Sequence, residues 1–576
     1  MRTATLTHAA RIGLAASLMT GLTGYANADV ITDWNVKAGE IVMEAKLGPP
    51  PANRVMAIVQ TAVYEAANAV TQRYPVGSVL EVSPGASLDA AVAAANRATL
   101  TKLMPSQQAS IDAAYQAALM RIADGSAKTA GIATGEKAAA AILVSRADDG
   151  AAAAESYRPA AAAGVYVPTA LPAVTQWPQR KPWLMSSASQ FRPAPPPALT
   201  SEVWARDYNE IKNLGARSST HRTAEQTEIA RFWEFSLPSI YHGVVRSVAH
   251  APGRDATQNA RLFAAVAQAQ DDAMIAVFEA KYHYNFWRPT TAIRNGDIDG
   301  NDATERVANW TPLIDNPLHP EYPSAHSILA GAVAAVLQAE VGPGPTPALT
   351  TTSPSAKGAT RRWTRLDDFT QEVANARIYE GIHYRVSTEV GVAMGKRIGE
   401  LAAAKMLREP AVVNVPEPLK PGANEMLAMI VPANGVQIYE CRAAKDRSAE
   451  YEWAFVAPEA ELFDTSGKKI GRHYAGPHWE ASDGSKFIGT MKARADAPAV
   501  RAIPWLLLAA QPVAADGSFG NVTSVQRVNT VGGAAPAAGC SQATAGKRAR
   551  VDYTADYYFF TTREVPGAYL STRAFP

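Results

Sequence analysis

The chain has 576 residues, 47% of them hydrophobic, a length of about three or four average domains, so it can bury sizeable cores without a disulfide framework. Lys and Arg number 55 against 53 Asp and Glu, a formal charge of +2, which gives no general reason to expect nucleic acid or an acidic membrane face as partner. Any selectivity for anions must therefore come from local groupings of side chains.

Residues 1–28 read as a secretion signal. Arg2 and Arg11 supply the positive start, Ile12 to Leu22 a short apolar core, and Ala26-Asn27-Ala28 an A-x-A cleavage pattern. A mature chain beginning at Asp29 and a periplasmic or extracellular location are the expectation. No later stretch reaches the roughly 18 to 20 uninterrupted apolar residues that span a bilayer; Ile503 to Ala510 is far too short. In an oxidising compartment the only two cysteines, Cys441 and Cys540, are expected to pair. The loop they close is about 100 residues, for which chain entropy gives at most about 4.7 kcal/mol. Two buried free thiols are the alternative.

From Asp29 to about Leu407 helix signals dominate, and strand signals are scarce. Asn53 can cap a helix to Val70 whose apolar residues Val55, Ile58, Val59, Ala62 and Ala66 recur at helical spacing. Ser87 to Leu103 is a second helix, and a third follows Pro105 and stops at Gly125. An Ala-rich helix runs to about Asp149, and a proline-rich loop fills Gly150 to Pro197. Thr200-Ser201-Glu202, Thr223-Ala-Glu-Gln226 and Asp255-Ala-Thr-Gln258 mark further helix starts, the last opening a long helix toward Pro289. At about Val412 the character changes. Val415-Pro-Glu-Pro-Leu-Lys-Pro421 cannot continue a helix, and the strand-like runs Val436–Cys441, Trp453–Val456, Phe487–Thr490, Val522–Val528 and Val551–Phe560 follow. The expected organisation is mainly α: a helical bundle over 29–411, a linker over 412–424, and a smaller all-β sandwich or barrel over 425–576.

Three clusters in the helical part carry chemistry. Lys281 and Arg288 lie seven residues apart, about two turns, so one helix would present both on one face to a tetrahedral anion. Pro323-Ser324-Ala325-His326 precedes the apolar run Ile328 to Val341, placing Ser324 as an N-cap whose neighbouring N–H groups favour anions. Arg377 and His383 flank Gly381, which ends a helix begun near Leu366, with Ser387-Thr388 set to begin the next. His383 then sits in a turn, where an imidazole can attack phosphorus or ligate a metal. Each cluster taken singly also has a plain structural reading: cations at a helix C-terminus, a simple cap, a hydrogen-bonded surface histidine.

In order and spacing the three match K-x6-R-P, P-S-G-H and S-R-x5-H-x3-D, and the chain from Asp29 to about Leu407 resembles vanadium-dependent haloperoxidases and type 2 phosphatidic acid phosphatases. Asp29-Val-Ile-Thr-Asp-Trp-Asn35 and Lys281-Tyr-His-Tyr-Asn-Phe-Trp-Arg-Pro resemble the soluble exported bacterial branch. The resemblance implies an oxyanion cradle of Lys281, Arg288, Ser324, Ala325 and Arg377. In the haloperoxidase version His383 ligates vanadate, His326 handles protons, and hydrogen peroxide oxidises a halide. In the phosphatase version His383 attacks a phosphate ester and His326 protonates the leaving group. Three positions depart from the pattern: Ala325 replaces glycine, Ala376 replaces serine, and Ser387 replaces the aspartate that would orient a histidine. Alanine preserves the N–H donor if its φ is negative; losing the aspartate bears on turnover more than on binding. An oxyanion-binding or scaffold protein without turnover is the third reading.

Other candidates are weaker. Asp297-Ile-Asp299-Gly-Asn301-Asp302 lacks a calcium loop's glycine and bidentate glutamate and reads as a turn. His473 and His478 have no further Cys or His beside them, so a structural role is expected. The region from about Val415 resembles a bacterial domain family of unknown function through Val436-Gln-Ile-Tyr-Glu-Cys and His473-Tyr-Ala-Gly-Pro-His-Trp-Glu, which implies a boundary and no activity.

Overall fold

The computed structural model describes residues 29–74, 83, 85–407, 415–444, 447–464, 468–514 and 517–562. The expected secretion signal at 1–28, most of the expected change of character at 408–414 and the terminal residues 563–576 lie outside them.

Among the described residues the N-terminal part holds thirteen α-helices: α1 (Val30–Glu44), α2 (Pro49–Thr71), α3 (Leu88–Leu103), α4 (Gln108–Leu119), α5 (Ser126–Ser145), α6 (Glu202–Leu214), α7 (Ala224–Trp233), α8 (Pro238–Ala249), α9 (Ala256–Tyr284), α10 (Pro289–Arg294), α11 (Ala325–Val341), α12 (Leu366–Tyr379) and α13 (Arg385–Ala402). The expected caps Ser87, Ser201, Thr223 and Asp255 each accept a first-turn N–H. Asn53 does not cap. The helix α2 begins four residues earlier on three prolines suited to a first turn, and Asn53 donates back to Pro49 O. Nor does Gly125 close the helix before it: α4 stops at Leu119, and Gly125, at φ +150, starts α5. A hairpin of β1 (Leu349–Ser353) and β2 (Ala359–Trp363) also interrupts the helices, short and threonine-rich enough to escape a periodicity reading.

At the centre lies α9, buried on every side from Ala260 to Phe278 and carrying Asp271 and Asp272 in that burial. Such a helix has no polar face, so its packing partners are invisible in sequence. The proline-rich loop is held to it by ions: Arg180 donates to Asp271 at 2.6 Å and to Asp149 at 2.7 Å, while Asp272 accepts the N–H groups of Trp183, Leu184 and Met185. Close approach of α13 to α11 requires small residues. A Cβ on Gly391, Gly395 or Gly399 would stand 2.7, 2.0 or 2.4 Å from the carbonyls of Ser324, Ile328 and Ala332. Those three glycines, one per turn, seat the start of α11 beside the turn that precedes α13.

The C-terminal part is all-β, as expected, and closes into a barrel of eight antiparallel strands: β3 (Glu425–Ala444), β4 (Arg447–Phe463), β5 (Lys469–Tyr474), β6 (His478–Ala481), β7 (Lys486–Ala495), β8 (Trp505–Ala514), β9 (Ser524–Gly532) and β10 (Arg548–Thr562), with β10 pairing both β3 and β9. Its interior is filled by side chains including Trp479, Phe487, Phe519, Tyr557 and Phe559. Cys441 and Cys540 form the expected disulfide. Among the described residues no helix is long and apolar enough to cross a membrane.

Candidate active site

Lys281 and Arg288 do not share a helix, contrary to expectation. The helix α9 ends at Tyr284, Asn285 turns left-handed at φ 50, and Arg288 stands as the N-cap of α10, whose first residue is Pro289. Seven residues of spacing thus cross a chain break that proline enforces. The two cations still converge, on the segment His319-Pro320-Glu321. Lys281 Nζ donates to Pro320 O at 3.0 Å and Glu321 O at 2.8 Å. Arg288 donates to His319 O at 3.0 Å, to His319 Nδ1 at 2.9 Å and to Ile382 O at 2.9 Å.

The second cluster behaves as its spacing predicts. Ser324 caps α11, its Oγ accepting from Ser327 N and Ser327 Oγ, and its N–H donates to Ser387 O. Ala325 opens the helix and is not among the residues with positive φ, so replacing glycine costs no backbone strain and preserves the N–H. Donors in this first turn have no intrahelical acceptor. His326 is buried, and its Nε2 has no hydrogen-bond partner.

The third cluster sits where α12 ends. Glu380 caps the helix and Gly381 turns at φ +83, where a Cβ would press to 2.4 Å from Gly215 O. The turn carries His383, as expected, while α13 begins at Arg385, two residues before the predicted Ser387. Arg377 donates to Trp233 O at 2.9 Å and to Glu380 Oε1 at 2.7 Å, leaving its Nε without a partner.

Arg377, Ala325, His326 and His383 line one cavity of about 570 Å³ together with His319. Met274, Phe278, Ile314, Leu318 and Leu329 form apolar walls, and Glu234 and Asp315 also border it. Lys281, Arg288 and Ser324 do not line it; they are buried and reach it through the His319–Glu321 segment and through His383, whose Nε2 lies 3.4 Å from Arg288 Nη1. Of the sequence-expected site residues, Ala325, His326, Arg377 and His383 border the cavity, while Lys281, Arg288 and Ser324 stand behind its wall.

Burial governs the electrostatics. It holds Lys281 well below the usual lysine range, helped by Arg288, and lowers Arg288 to about 10. His319, His326 and His383 are pushed well below 6.5 by burial and by the neighbouring cations, so all three imidazoles are neutral near pH 7. Burial raises Glu321 to about 7 and Glu380 to about 8 against the pull of Lys281 and Arg377 respectively. Three buried cations thus face two reluctant carboxylates, a site short of negative charge.

Three residues here were not singled out in the sequence: His319, Glu321 and Glu380. The carboxylate of Glu321 accepts from His383 Nδ1 at 2.8 Å, Tyr384 N at 3.0 Å and Ser387 Oγ at 2.6 Å. The available signal was adjacency, since His319-Pro-Glu321 runs directly into the serine motif. The weaker candidates take structural roles. Asp299 accepts Trp204 Nε1 at 2.8 Å inside a turn, and His473 is buried with its ring stacked on Trp479. No group of three metal-ligating side chains occurs among the described residues.

Residues 261–410 match the family model of the VCPO second helical-bundle domain, and residues 421–561 match a protein family of unknown function, DUF3455. Vanadium chloroperoxidase of Curvularia inaequalis is 28% identical over 170 residues, which are 24% of this chain; the match spans only 28% of that relative's length. Two solved structures are similar. The first bacterial vanadium-dependent iodoperoxidase has a TM-score of 0.57 at 24% identity, over 65% of this chain and 95% of that one. An apo-type bacterial vanadium-dependent chloroperoxidase has a TM-score of 0.51 at 18% identity, over 63% and 95%. The helical part has the vanadium haloperoxidase fold, with the match to the VCPO second helical-bundle domain confined to residues 261–410 and the match to DUF3455 to residues 421–561.

Proposed function

We propose that this protein is a vanadate-dependent haloperoxidase-like enzyme that oxidises halide with hydrogen peroxide, with vanadate held on His383 Nε2. The observation that carries the reading is the crowding of basic groups: Lys281, Arg288 and Arg377 are buried around Glu321 and Glu380, whose ionisation burial opposes, while Glu234 and Asp315 at the cavity border are paired to Arg231 and Arg217. The donor set fits a tetrahedral oxyanion. The His326 Nε2 and Arg377 Nε atoms lack partners, Ala325 in the first turn of α11 lines the cavity, and only a long 3.4 Å contact engages His383 Nε2. Bound vanadate would supply electrophilic activation of hydrogen peroxide, toward which a halide acts as nucleophile. In this reading Lys281, Arg288 and Arg377 neutralise oxyanion charge, Ser324 and Ala325 orient it, and His326 gives and takes a proton at Nε2. Apolar walls at Met274, Phe278 and Leu329 limit water around it.

A second reading is favoured by the size of the cavity, about 570 Å³ with apolar walls, which exceeds what peroxide and halide need. There the protein hydrolyses phosphate esters. His383 Nε2 forms a bond to phosphorus as the bond to the leaving oxygen breaks, and His326, first protonated by the acidic phosphate ester as it binds, returns that proton to the leaving oxygen and is left neutral. Water activated by His326 then cleaves the phosphohistidine. Export to the periplasm or outside the cell belongs to either reading, supported by the A-x-A pattern ahead of Asp29 and by the disulfide.

Purified mature protein assayed with and without vanadate separates them, once for peroxide-dependent bromination of a dye and once for hydrolysis of a chromogenic phosphate ester. Vanadate activates the first reaction and inhibits the second. Rates no higher than those of His383→Ala in both assays would sink both enzymes and leave an oxyanion-binding protein.

A further inference from the structure

The motif shared with the wider superfamily ends in an aspartate four residues after the histidine, and this chain has Ser387 there. The orienting carboxylate has not been lost. Glu321, 62 residues before His383, places Oε1 at 2.8 Å from His383 Nδ1, and Ser387 Oγ donates to Oε2 of the same carboxylate at 2.6 Å. The geometry points to Glu321 as the positioning residue that fixes the tautomer of His383, with Ser387 as its support. This rests on the proposal that His383 Nε2 takes the central atom of an oxyanion.

Two independent features of the surroundings require the same tautomer. Oε1 already accepts the Tyr384 N–H at 3.0 Å and is therefore an acceptor, so Nδ1 facing the same oxygen must carry the proton. On the other side of the ring Nε2 faces Arg288 Nη1 at 3.4 Å, and a guanidinium has no acceptor, so a proton on Nε2 would point at another donor. Both sides leave Nε2 without a proton, its lone pair engaged only by the long Arg288 contact, the state a ligand or nucleophile must be in. Glu321 is itself over-determined. Its N–H donates to Phe286 O at 2.9 Å, its C=O accepts from Lys281 Nζ at 2.8 Å, and its side chain also takes the Tyr384 N–H at 3.0 Å. One residue therefore ties the first cluster to the third and is joined to the second by Tyr322-Pro323.

The test uses full-length mature protein and two probes, orthovanadate and orthophosphate, titrated calorimetrically. Removing a partner that orients a ligating histidine typically costs about 10- to 100-fold in affinity. Glu321→Ala is expected to lose that much for both probes, Glu321→Gln less because an amide oxygen still accepts from Nδ1, and Ser387→Ala only a few-fold. Glu321→Ala combined with Ser387→Asp, which returns the carboxylate to the motif's position, is expected to recover most of the loss. A role confined to folding would not be rescued this way. In 15N-histidine spectra the wild type should show His383 protonated at Nδ1, and Glu321→Gln should show a mixture of tautomers, a readout that survives if the alanine variant fails to fold. Glu321 variants that bind as tightly as wild type while His383→Ala does not would overturn the inference alone. Binding unaffected by His383→Ala would overturn the oxyanion reading and the inference with it.

Discussion

Two clusters of buried charge stand in the helical part, and only one is balanced. Around the loop anchor, Arg54, Arg146 and Arg180 meet Asp149 and Asp271, Arg180 is held by two carboxylates at 2.6 and 2.7 Å, and Asp272 is satisfied by three backbone N–H groups. Around the cavity, Lys281, Arg288 and Arg377 meet Glu321 and Glu380, and Lys281 and Arg288 spend their donors on carbonyls and imidazole nitrogens. Hydrogen bonds from Arg54 and Arg180 outweigh burial and lower Asp149, whereas burial wins at Glu321 and Glu380, as it does at Asp272, which backbone N–H groups hold, and raises them. A balanced cluster is a fastening. An unbalanced one that a fold keeps buried is a receptor for the missing sign of charge.

Substitutions should separate the two. Arg180→Met leaves buried Asp271 without its ion-pair partner and Asp149 with Arg54 as its close partner, and is expected to cost about 3–5 kcal/mol of stability, measured by urea unfolding, whatever anions are present; a loss under 1 kcal/mol would make the anchor incidental. Adding oxyanion should stabilise the wild type by about 2.7 kcal/mol at 100 times its dissociation constant, an increment expected to vanish in His383→Ala. Lys281→Met removes an unmatched cation, so stability without ligand should hold or rise, while affinity for orthophosphate falls roughly 10- to 100-fold, from about 1.5–3 kcal/mol for a charge-assisted hydrogen bond. Marked destabilisation without ligand would class Lys281 with Arg180.

The smallest contrast is in pH. Glu380 is raised from 4.5 to about 8 on folding, so between those values the folded chain holds a proton that the unfolded chain has released. Its contribution is fully present below about 4.5 and is lost as pH rises through 8, at up to about 1.4 kcal/mol per unit. Asp149 is lowered, and its contribution is lost in the opposite direction, as pH falls below the ordinary aspartate value. Glu380→Gln should therefore flatten the alkaline limb of stability against pH and Asp149→Asn the acid limb. Equal effects of both on one limb would erase the distinction.

How far this was legible in sequence follows the same division. Lys281, Arg288, Ser324, His326, Arg377 and His383 could be named because cation, cap and turn signals are local; His326, Arg377 and His383 border one cavity, and the other three lie buried behind it. The helical bundle, the all-β C-terminal part and the Cys441–Cys540 pair were likewise carried by local patterning and by composition. What failed depended on contacts distant in sequence. The shared helix assigned to Lys281 and Arg288 ignored that Pro289 had to begin an element of its own. Ser387 read as a missing carboxylate because its replacement, Glu321, lies 62 residues upstream of the histidine it serves. The anchor aspartates of α9 escaped notice because a helix buried all round shows no amphipathic period.

The most direct measurement of the central claim is an orthovanadate titration of the purified protein by calorimetry near pH 7.5. Saturable binding at one site per chain, displaced by orthophosphate and abolished in both His383→Ala and Arg288→Ala, is the predicted result. No saturable binding, or binding that both variants retain, would contradict it.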